Sequence, residues 1–561
     1  VQPTRGGRYQ LHELLRQYAA EKLAQDRAAA EGVRDRHAAY YTAALAGWEM
    51  DLKGPRQREA LLEMDLELDN IRAAWNRLAD QCNVEQLSKA APGLHAYCRG
   101  RLSAQEGEVA FQRAAERLRA AAKLGDADRG VIFQTLARVV SYQCRCAYNA
   151  GRGSQVACDL ITEGLAAVEK ARASGRDVRA EEACLWGWQG RVEYWLGCPE
   201  VRRSAVRCLA LYREIGDRWG EAEALILLSW VHAFAAEYGQ VRKDLAEAVS
   251  ICREHGDTRE LGWATVGLTR VEAGEGRLGE AEKLAREVLD TGLKLGDPEI
   301  ALHGLGLLAG VSVLAGRYAD VLLLLEDYMQ RCRELGFGHS SGAMYRVGEA
   351  ELHLGRYDRA RAYLQIAADR RWEVSVIGVR ADALLTLGQL LARDGELDEA
   401  RRLIRESITV SEACGYREGG LRARSTLPCV IQTPLDLQQA RRSVLQALRW
   451  TADHGNFPVL VNLLPGAAML LLREGPIERA VEVYELARTF PHVANSQWYA
   501  DVVGHPIAQA ATASLPPEEV VAAKERGRAR DVQATLDELI AEWDARTGGP
   551  AEEAHSGERQ S

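Results

Sequence analysis

The chain has 561 residues, 47% of them hydrophobic and 27% charged, with 71 Lys+Arg against 80 Asp+Glu. That balance excludes wholesale disorder and collagen-like structure. Its net charge of −9 argues against a nucleic-acid binder that works through bulk positive charge.

The chain opens Val1-Gln-Pro-Thr-Arg5, without an initiator Met or an apolar signal core, which reads as a piece of something longer. Tyr9–Leu23 reads as a strand-like entry followed by an amphipathic helix, and His37–Tyr41 and Leu66–Trp75 are helical in period. Twelve Cys are scattered through helical stretches with no CxxC pair, which suits reduced thiols in a cytoplasmic protein. The longest apolar stretch, Phe457–Leu472, is interrupted by Asn462 and Pro465 and reads as too short to span a bilayer.

A repeat organises the middle of the chain. Gly216-Asp217, Gly256-Asp257, Gly296-Asp297, Gly336-Phe337, Gly415-Tyr416 and Gly455-Asn456 recur every 40 residues or so, with one double interval near Arg371-Trp372. A second glycine falls mid-unit at Gly276, Gly316, Gly355, Gly395 and Gly475. Glycine at such points supplies the left-handed cap that ends a helix, so each unit is predicted to be two amphipathic helices. Three columns of small or β-branched residues keep the same phase. They are Ser229, Thr269, Ala309, Gly348, Gly388 and Ala468; then Val241, Ala281, Val321, Ala360, Ala400, Ala440 and Ala480; then Ala248, Val288, Ala367, Ser407, Ala447 and Ala487. Small side chains there let helices approach closely. Pro428 breaks the first column and predicts an irregular unit over 416–455. Upstream, Gly190 and Gly197 continue the pattern with a one-residue slip, and Gly125-Asp126 and Gly175 imply a longer, earlier unit.

The three columns resemble the tetratricopeptide (TPR) pattern in its longer-helix form; heat-repeat and armadillo arrays share the period but lack the columns. The expected fold is all-α: a TPR-like helical-hairpin superhelix, or α-solenoid, with repeats of about 40 residues and a small winged-helix remnant at the N-terminus. The expected divisions are 1–30 for the end of that module, 31–125 for a helical linker and irregular hairpins, 126–505 for the superhelix, 506–545 for capping helices and 546–561 for a disordered tail.

Catalytic strings are missing. The chain contains no GxxxxGK[ST] and no GxSxG, and His12-Glu13 lacks the second His of HExxH. Cys144-Arg-Cys146, with Cys158 nearby, does not match a structural zinc spacing and reads as buried thiols. Lys524–Arg530 is a basic run without interleaved aromatics and reads as a solvated helix. No catalytic, cofactor-binding or metal-ligating residue is assigned, and the chain is read as not being an enzyme.

In TPR arrays the first helix of each hairpin lines the concave side, and the resemblance carries a set of positions onto this chain. These are Arg191, Tyr194 and Trp195; Trp230 and Phe234; Trp263 and Arg270; His303; Tyr345, Glu349 and His353; Gln389 and Arg393; and Asn462 and Arg473. Aromatic and Arg side chains combine large contact area with directed polar ends, which suits recognition; a Trp at helical spacing also reads as inter-repeat core. Tyr194, Trp195, Trp230 and Trp263 are the expected ligand surface, with Arg191, Arg270, Glu349, Gln389 and Arg393 setting specificity.

The N-terminal strings Tyr9–Leu23, His37–Tyr41 and Leu66–Trp75, together with the run from Pro491 to Arg530, resemble bacterial STAND-class signal-transduction ATPases, the group of the maltose-regulon activator and the antibiotic-pathway regulators. In that group the first string closes a winged-helix module and the next two lead into a TPR sensor. The resemblance implies a sensor and scaffold whose groove binds a protein, peptide or small inducer and controls an upstream NTPase, a module this chain lacks. It implies a cytoplasmic place, no membrane partner and no direct nucleic-acid contact. The alternative is a free-standing TPR adaptor or self-association module.

Overall fold

The computed structural model describes residues 2–4, 8–10, 13–101, 103–124, 128–334, 341–369 and 377–547. His12, the landmarks Gly125-Asp126 and Gly336-Phe337, the gap near Arg371-Trp372 and the tail beyond residue 547 lie outside the described residues.

Strands β1 (Gln2–Thr4) and β2 (Arg8–Gln10) pair antiparallel, with Pro3 opposite Tyr9. Among the described residues, every later element is a helix. The first helices are α1 (Glu13–Ala24), α2 (Arg27–Leu52), α3 (Gln57–Asp80), α4 (Val84–Arg101), α5 (Ala104–Leu124), α6 (Arg129–Asn149), α7 (Ser154–Ala173), α8 (Arg179–Leu196) and α9 (Val201–Ile215). Hairpins follow in pairs: α10 (Arg218–Phe234) with α11 (Tyr238–His255), α12 (Thr258–Gly274) with α13 (Leu278–Leu295), and α14 (Pro298–Leu314) with α15 (Tyr318–Glu334). Next come α16 (Ser341–His353) with α17 (Tyr357–Ala368), α18 (Ile377–Arg393) with α19 (Leu397–Ala413), α20 (Arg417–Thr426) with α21 (Pro434–His454), and α22 (Phe457–Glu474) with α23 (Ile477–Ala487). The chain ends in α24 (Pro491–Ala494), α25 (Gln497–Tyr499), α26 (His505–Ser514), α27 (Pro517–Ala529) and α28 (Val532–Thr547). The architecture is the expected all-α array of TPR-like hairpins.

The chain divides into two compact units. One holds Val1–Trp188, Ala210–Trp219 and Glu254–Thr258; the other holds Gln189–Leu209, Gly220–Arg253 and Arg259–Ser561. In the first unit, Trp75 is fully buried edge-on to Phe111 at 5.3 Å and donates its Nε1–H to the Ala110 carbonyl at 2.9 Å. Buried Asp257 accepts from Gln57 at 2.6 Å and from the Trp219 indole at 2.7 Å. Cys144 and Cys146 are buried in α6, as thiols of a packed core.

The second unit carries the array, and its period has a backbone cause. Gly276, Gly296, Gly316, Gly355, Gly395, Gly415, Gly455 and Gly475 all have positive φ, between 65° and 110°. Each sits where a helix stops, because only glycine enters the left-handed region without a Cβ clash. Ala236 occupies the same place in its hairpin and also has positive φ, 58°. At the other end of the turn, Asp297 caps α14, accepting from the amides of Glu299 and Ile300 at 2.9 and 3.2 Å, with Pro298 in the first turn.

The three small-residue columns are the helix contacts. Their members other than glycine are all 1% exposed or less. A Cβ built on Gly348 would lie 2.7 Å from Leu364, and one on Gly388 2.8 Å from Ile404, so these crossings admit no side chain. Pro428 acts as predicted: α20 ends at Thr426 and the chain continues as a 3-10 turn over Leu427–Val430. Pro465, by contrast, does not interrupt α22, which runs unbroken from Phe457 to Glu474. That helix is long and apolar enough to cross a membrane by length and composition, and 72% of it is buried inside the protein. It is a core helix of this unit.

The winding of the unit is tight. Tyr238 donates to Glu418, 180 residues later, at 3.4 Å, and the Asn456 amide donates to the Tyr238 hydroxyl at 2.8 Å. Phe234 stacks on Tyr416 at 4.7 Å and 15°. A Cβ on Gly276 would sit 2.9 Å from the Phe457 ring, and one on Gly197 would overlap Ile377 and Cys414. With repeats of about 40 residues, contacts between positions some 180 apart mean that the array closes a turn in roughly four to five hairpins. The turn glycines of one hairpin then abut the first helix of a later one.

Candidate functional site

The first helices present their inward positions in three patches. The first is a run of rings from α8 to α14. Tyr194 lies 6.1 Å from Trp230 and 5.4 Å from Phe234, Trp230 lies 5.6 Å from Trp263, and Trp263 meets His303 edge-on at 4.5 Å. Successive first helices thus carry one continuous aromatic wall. Tyr194 and Trp263 are buried, Trp230 and Phe234 half-buried, and His303 and Arg270 open to solvent. His303 packs on the Trp263 ring and remains accessible to solvent. Its Nδ1–H donates to the Glu299 carbonyl at 2.9 Å, and burial, reinforced by nearby Arg270, holds its pKa below the usual histidine value. The Trp230 indole nitrogen is buried without a hydrogen-bond partner.

Arg270 donates to the Tyr194 hydroxyl at 3.4 Å, and no carboxylate pairs with it among the described residues. Arg259, at the other end of α12, is the opposite case: buried under Trp263, it bonds Asp297 at 2.7 Å, Glu299 at 2.7 Å and Glu260 at 3.0 Å. Arg191 stands 3.8 Å from Glu223, both largely buried. Trp195 is half-buried.

The second patch is a buried ionic cluster. Glu349 accepts from the Tyr345 hydroxyl at 2.7 Å, from Arg346 at 2.7 Å and from Arg422 at 3.3 Å. Arg422 also donates to Asp382 at 3.1 Å, and Asp382 accepts from Tyr416 at 3.1 Å. Burial works against the Glu349 carboxylate, but Arg346 and Arg422 overcome it and bring its pKa to about 2. Burial dominates at Asp382 and raises it to about 6. The carboxylates and guanidinium groups are committed to one another, and such a cluster resists the loss of any member.

The third patch is already covered by the chain itself. After α23 the segment 488–504 leaves the 40-residue phase, passes through α24 and α25, and ends in a π-turn over Ala500–Gly504. Three of its buried side chains lie on first-helix positions. Ser496 meets His353 Nδ1 at 2.7 Å, Trp498 Nε1–H donates to the Gln389 carbonyl at 2.8 Å, and Tyr499 donates to Asn462 at 2.9 Å. His492 lies against Tyr318, whose hydroxyl donates to the His492 carbonyl. Burial lowers His353 to about 3 and His492 to about 4, so both are neutral at pH 7. Arg393 stands at the rim, 4.2 Å over the Tyr357 ring and paired with Asp394 at 2.8 Å, and Arg473 is exposed.

The positions carried over from the TPR pattern therefore separate. Tyr194, Trp230, Phe234, Trp263, Arg270 and His303 come together; Tyr345 and Glu349 belong to the ionic cluster; Gln389, His353 and Asn462 hold the segment 488–504. The sequence reading did not include Arg346, Asp382, Tyr416 and Arg422. Arg422 and Asp382 stand at the inward position six before the small column, where Pro428 hides the phase for Arg422; Arg346 and Tyr416 stand outside the counted positions. Nothing in the spacing of Trp498 and Tyr499 signals their place. Among the described residues, no three His, Cys, Asp or Glu come together as metal ligands would.

No family model matches the chain, and no curated protein matches it. Solved structures do resemble it. A Rap protein complexed with a competence and sporulation factor shares 9% identity at a TM-score of 0.47, covering 68% of this chain and 99% of its own. A STAND protein with a tetratricopeptide repeat sensor from Pyrococcus horikoshii shares 15% identity at a TM-score of 0.34, over 62% of this chain and 54% of its own. The apo form of the quorum sensor NprR from B. thuringiensis shares 15% identity at a TM-score of 0.33, over 60% of this chain and 95% of its own.

Proposed function

We propose that this chain is a non-catalytic sensor and scaffold, the TPR-like part of a STAND-type cytoplasmic regulator, whose first-helix wall binds a protein, peptide or small inducer and so controls an NTPase module elsewhere in the parent. The observation that carries this reading is the aromatic wall from Tyr194 to His303, contributed by four successive first helices and holding an exposed, carboxylate-free Arg270. Rings at this spacing offer contact area at low entropic cost, and the Arg supplies a directed charge. A wall assembled from separate hairpins also couples occupancy to hairpin packing: Phe234, at its edge, stacks on Tyr416 of a later turn. A ligand that draws on Phe234 would bias that contact and thereby the winding of the unit.

The test uses the parent regulator and its native signal. The triple substitution Trp230→Ala, Trp263→Ala and Arg270→Ala is expected to abolish the response while the far-UV circular dichroism stays native. A full response in that variant would sink the assignment. ATP turnover by this chain alone would overturn the non-catalytic reading.

A further inference from the structure

Among the described residues, Arg270 on the aromatic wall has no carboxylate paired with it. Arg191, Arg259, Arg346 and Arg422 all have carboxylates within 4 Å, whereas Arg270 has only the Tyr194 hydroxyl, at 3.4 Å. Beside it on the next first helix, α14, the inward positions after His303 are Gly306 and Gly310. A Cβ built on Gly306 meets nothing within 4 Å, and one on Gly310 meets only the Arg346 guanidinium, at 3.7 Å. The floor of the wall is bare helix backbone with open space above it. Trp263 and His303 bound it on one side and the half-exposed Arg346 on the other. Glycine at such a place allows another main chain to approach closely.

We infer that this recess is a subsite for a peptide carrying a carboxylate next to an apolar or aromatic residue, its main chain lying over Gly306 and Gly310, its carboxylate on Arg270 and its apolar side chain against Trp230 and Trp263. The inference rests on the binding function proposed above and names its ligand class. Three observations select this occupant. A single unpaired guanidinium calls for a single anionic group, and the bidentate Arg–carboxylate pair is the strong form of that contact. A polyanion such as nucleic acid is disfavoured by the chain's net charge of −9. The inner positions of this unit also already accept a peptide, since the chain's own segment 488–504 sets Trp498 and Tyr499 on Gln389 and Asn462.

The experiment is a fluorescence-anisotropy screen of the full chain. The probe is a positional-scanning library of labelled hexapeptides, synthesised with free and with amidated C-termini. The expected result is selection of Asp or Glu beside an apolar residue in both arms if a side-chain carboxylate is read, or of the free-acid arm alone if a C-terminus is read. Arg270→Gln should weaken the selected peptides about tenfold or more, the worth of a hydrogen bond to a charged group. Arg270→Lys should recover part of the loss. Because Arg270 is exposed and makes no ion pair, Arg270→Gln should melt with the native chain. Selected peptides that lack an acid, or that bind Arg270→Gln as tightly, overturn the carboxylate subsite. If those peptides still lose binding in Trp230→Ala with Trp263→Ala, the wall itself stands. Absence of saturable binding in either arm overturns both readings.

Discussion

Replacing Gly316 and Gly395 by Ala separates backbone strain from the contact between turns. Both glycines end the first helix of a hairpin in the left-handed region, with φ of 66° and 83°. Around Gly395 a new Cβ meets nothing within 4 Å. Its replacement therefore reports strain alone: about 1–2 kcal/mol for an L-residue in that region, less about 0.4–1 kcal/mol from restricting the unfolded chain. At Gly316 the same Cβ would overlap the Pro491 carbonyl and come within 3.0 Å of the His492 amide nitrogen. The obstacle is backbone, tied down by Asn495 donating to the Gly316 carbonyl at 3.3 Å and by Tyr318 on His492. It cannot rotate away, so overpacking adds about 1–3 kcal/mol. Gly316→Ala is thus expected to be less stable than Gly395→Ala by about 2 kcal/mol in urea unfolding followed by circular dichroism. Amide hydrogen exchange should also accelerate at Val493–Ser496 in Gly316→Ala only. Equal midpoints for the two variants, with unchanged exchange in that segment, would refute the tight winding inferred from the contacts across turns.

Three further outcomes follow from the buried groups. Trp498→Ala removes a side chain only 1% exposed together with its bond to Gln389, and should cost about 3–5 kcal/mol in the same assay. Glu349→Gln strands Arg346 and Arg422 and should cost about 3–5 kcal/mol at pH 7. Its deficit should shrink in acid, since the lowered Glu349 pKa gives stability that is present above the unfolded value near 4.3 and lost as pH falls toward about 2. Asp382 has the opposite sign: raised to about 6, it favours the fold below its unfolded value near 3.9 and loses that advantage as pH rises through 6. The stability difference between the native chain and Asp382→Asn, measured at pH 4 and pH 7, should therefore change by about 2 kcal/mol in that direction. A pH-independent difference would contradict the assignment of burial as its cause.

Much of the site was legible in part. Trp230, Trp263 and Arg270 are found at the inward positions that the small-residue column marks, because helical phase is local and survives into the fold. Their neighbours Gly306 and Gly310 stand at the same phase but carry no side chain to notice, and their meaning comes only from the open space above them. Gln389 has the right phase too, yet Trp498, 109 residues away, holds its carbonyl. Phase states which way a position points and says nothing of what arrives there.

By itself the sequence determined the hairpin: where helices end, which faces are small and how often the unit recurs. These follow from backbone sterics at glycine and from side-chain volume within one or two turns of helix. Only the tertiary structure decided the pitch of the array. Small rotations at each hairpin crossing accumulate over four to five repeats until Tyr238 reaches Glu418 and Gly276 reaches Phe457. No local pattern encodes a sum of that kind, and it is this sum that leaves Arg270 and His303 of the wall accessible to solvent while the chain's own Trp498 and Tyr499 are buried against Gln389 and Asn462.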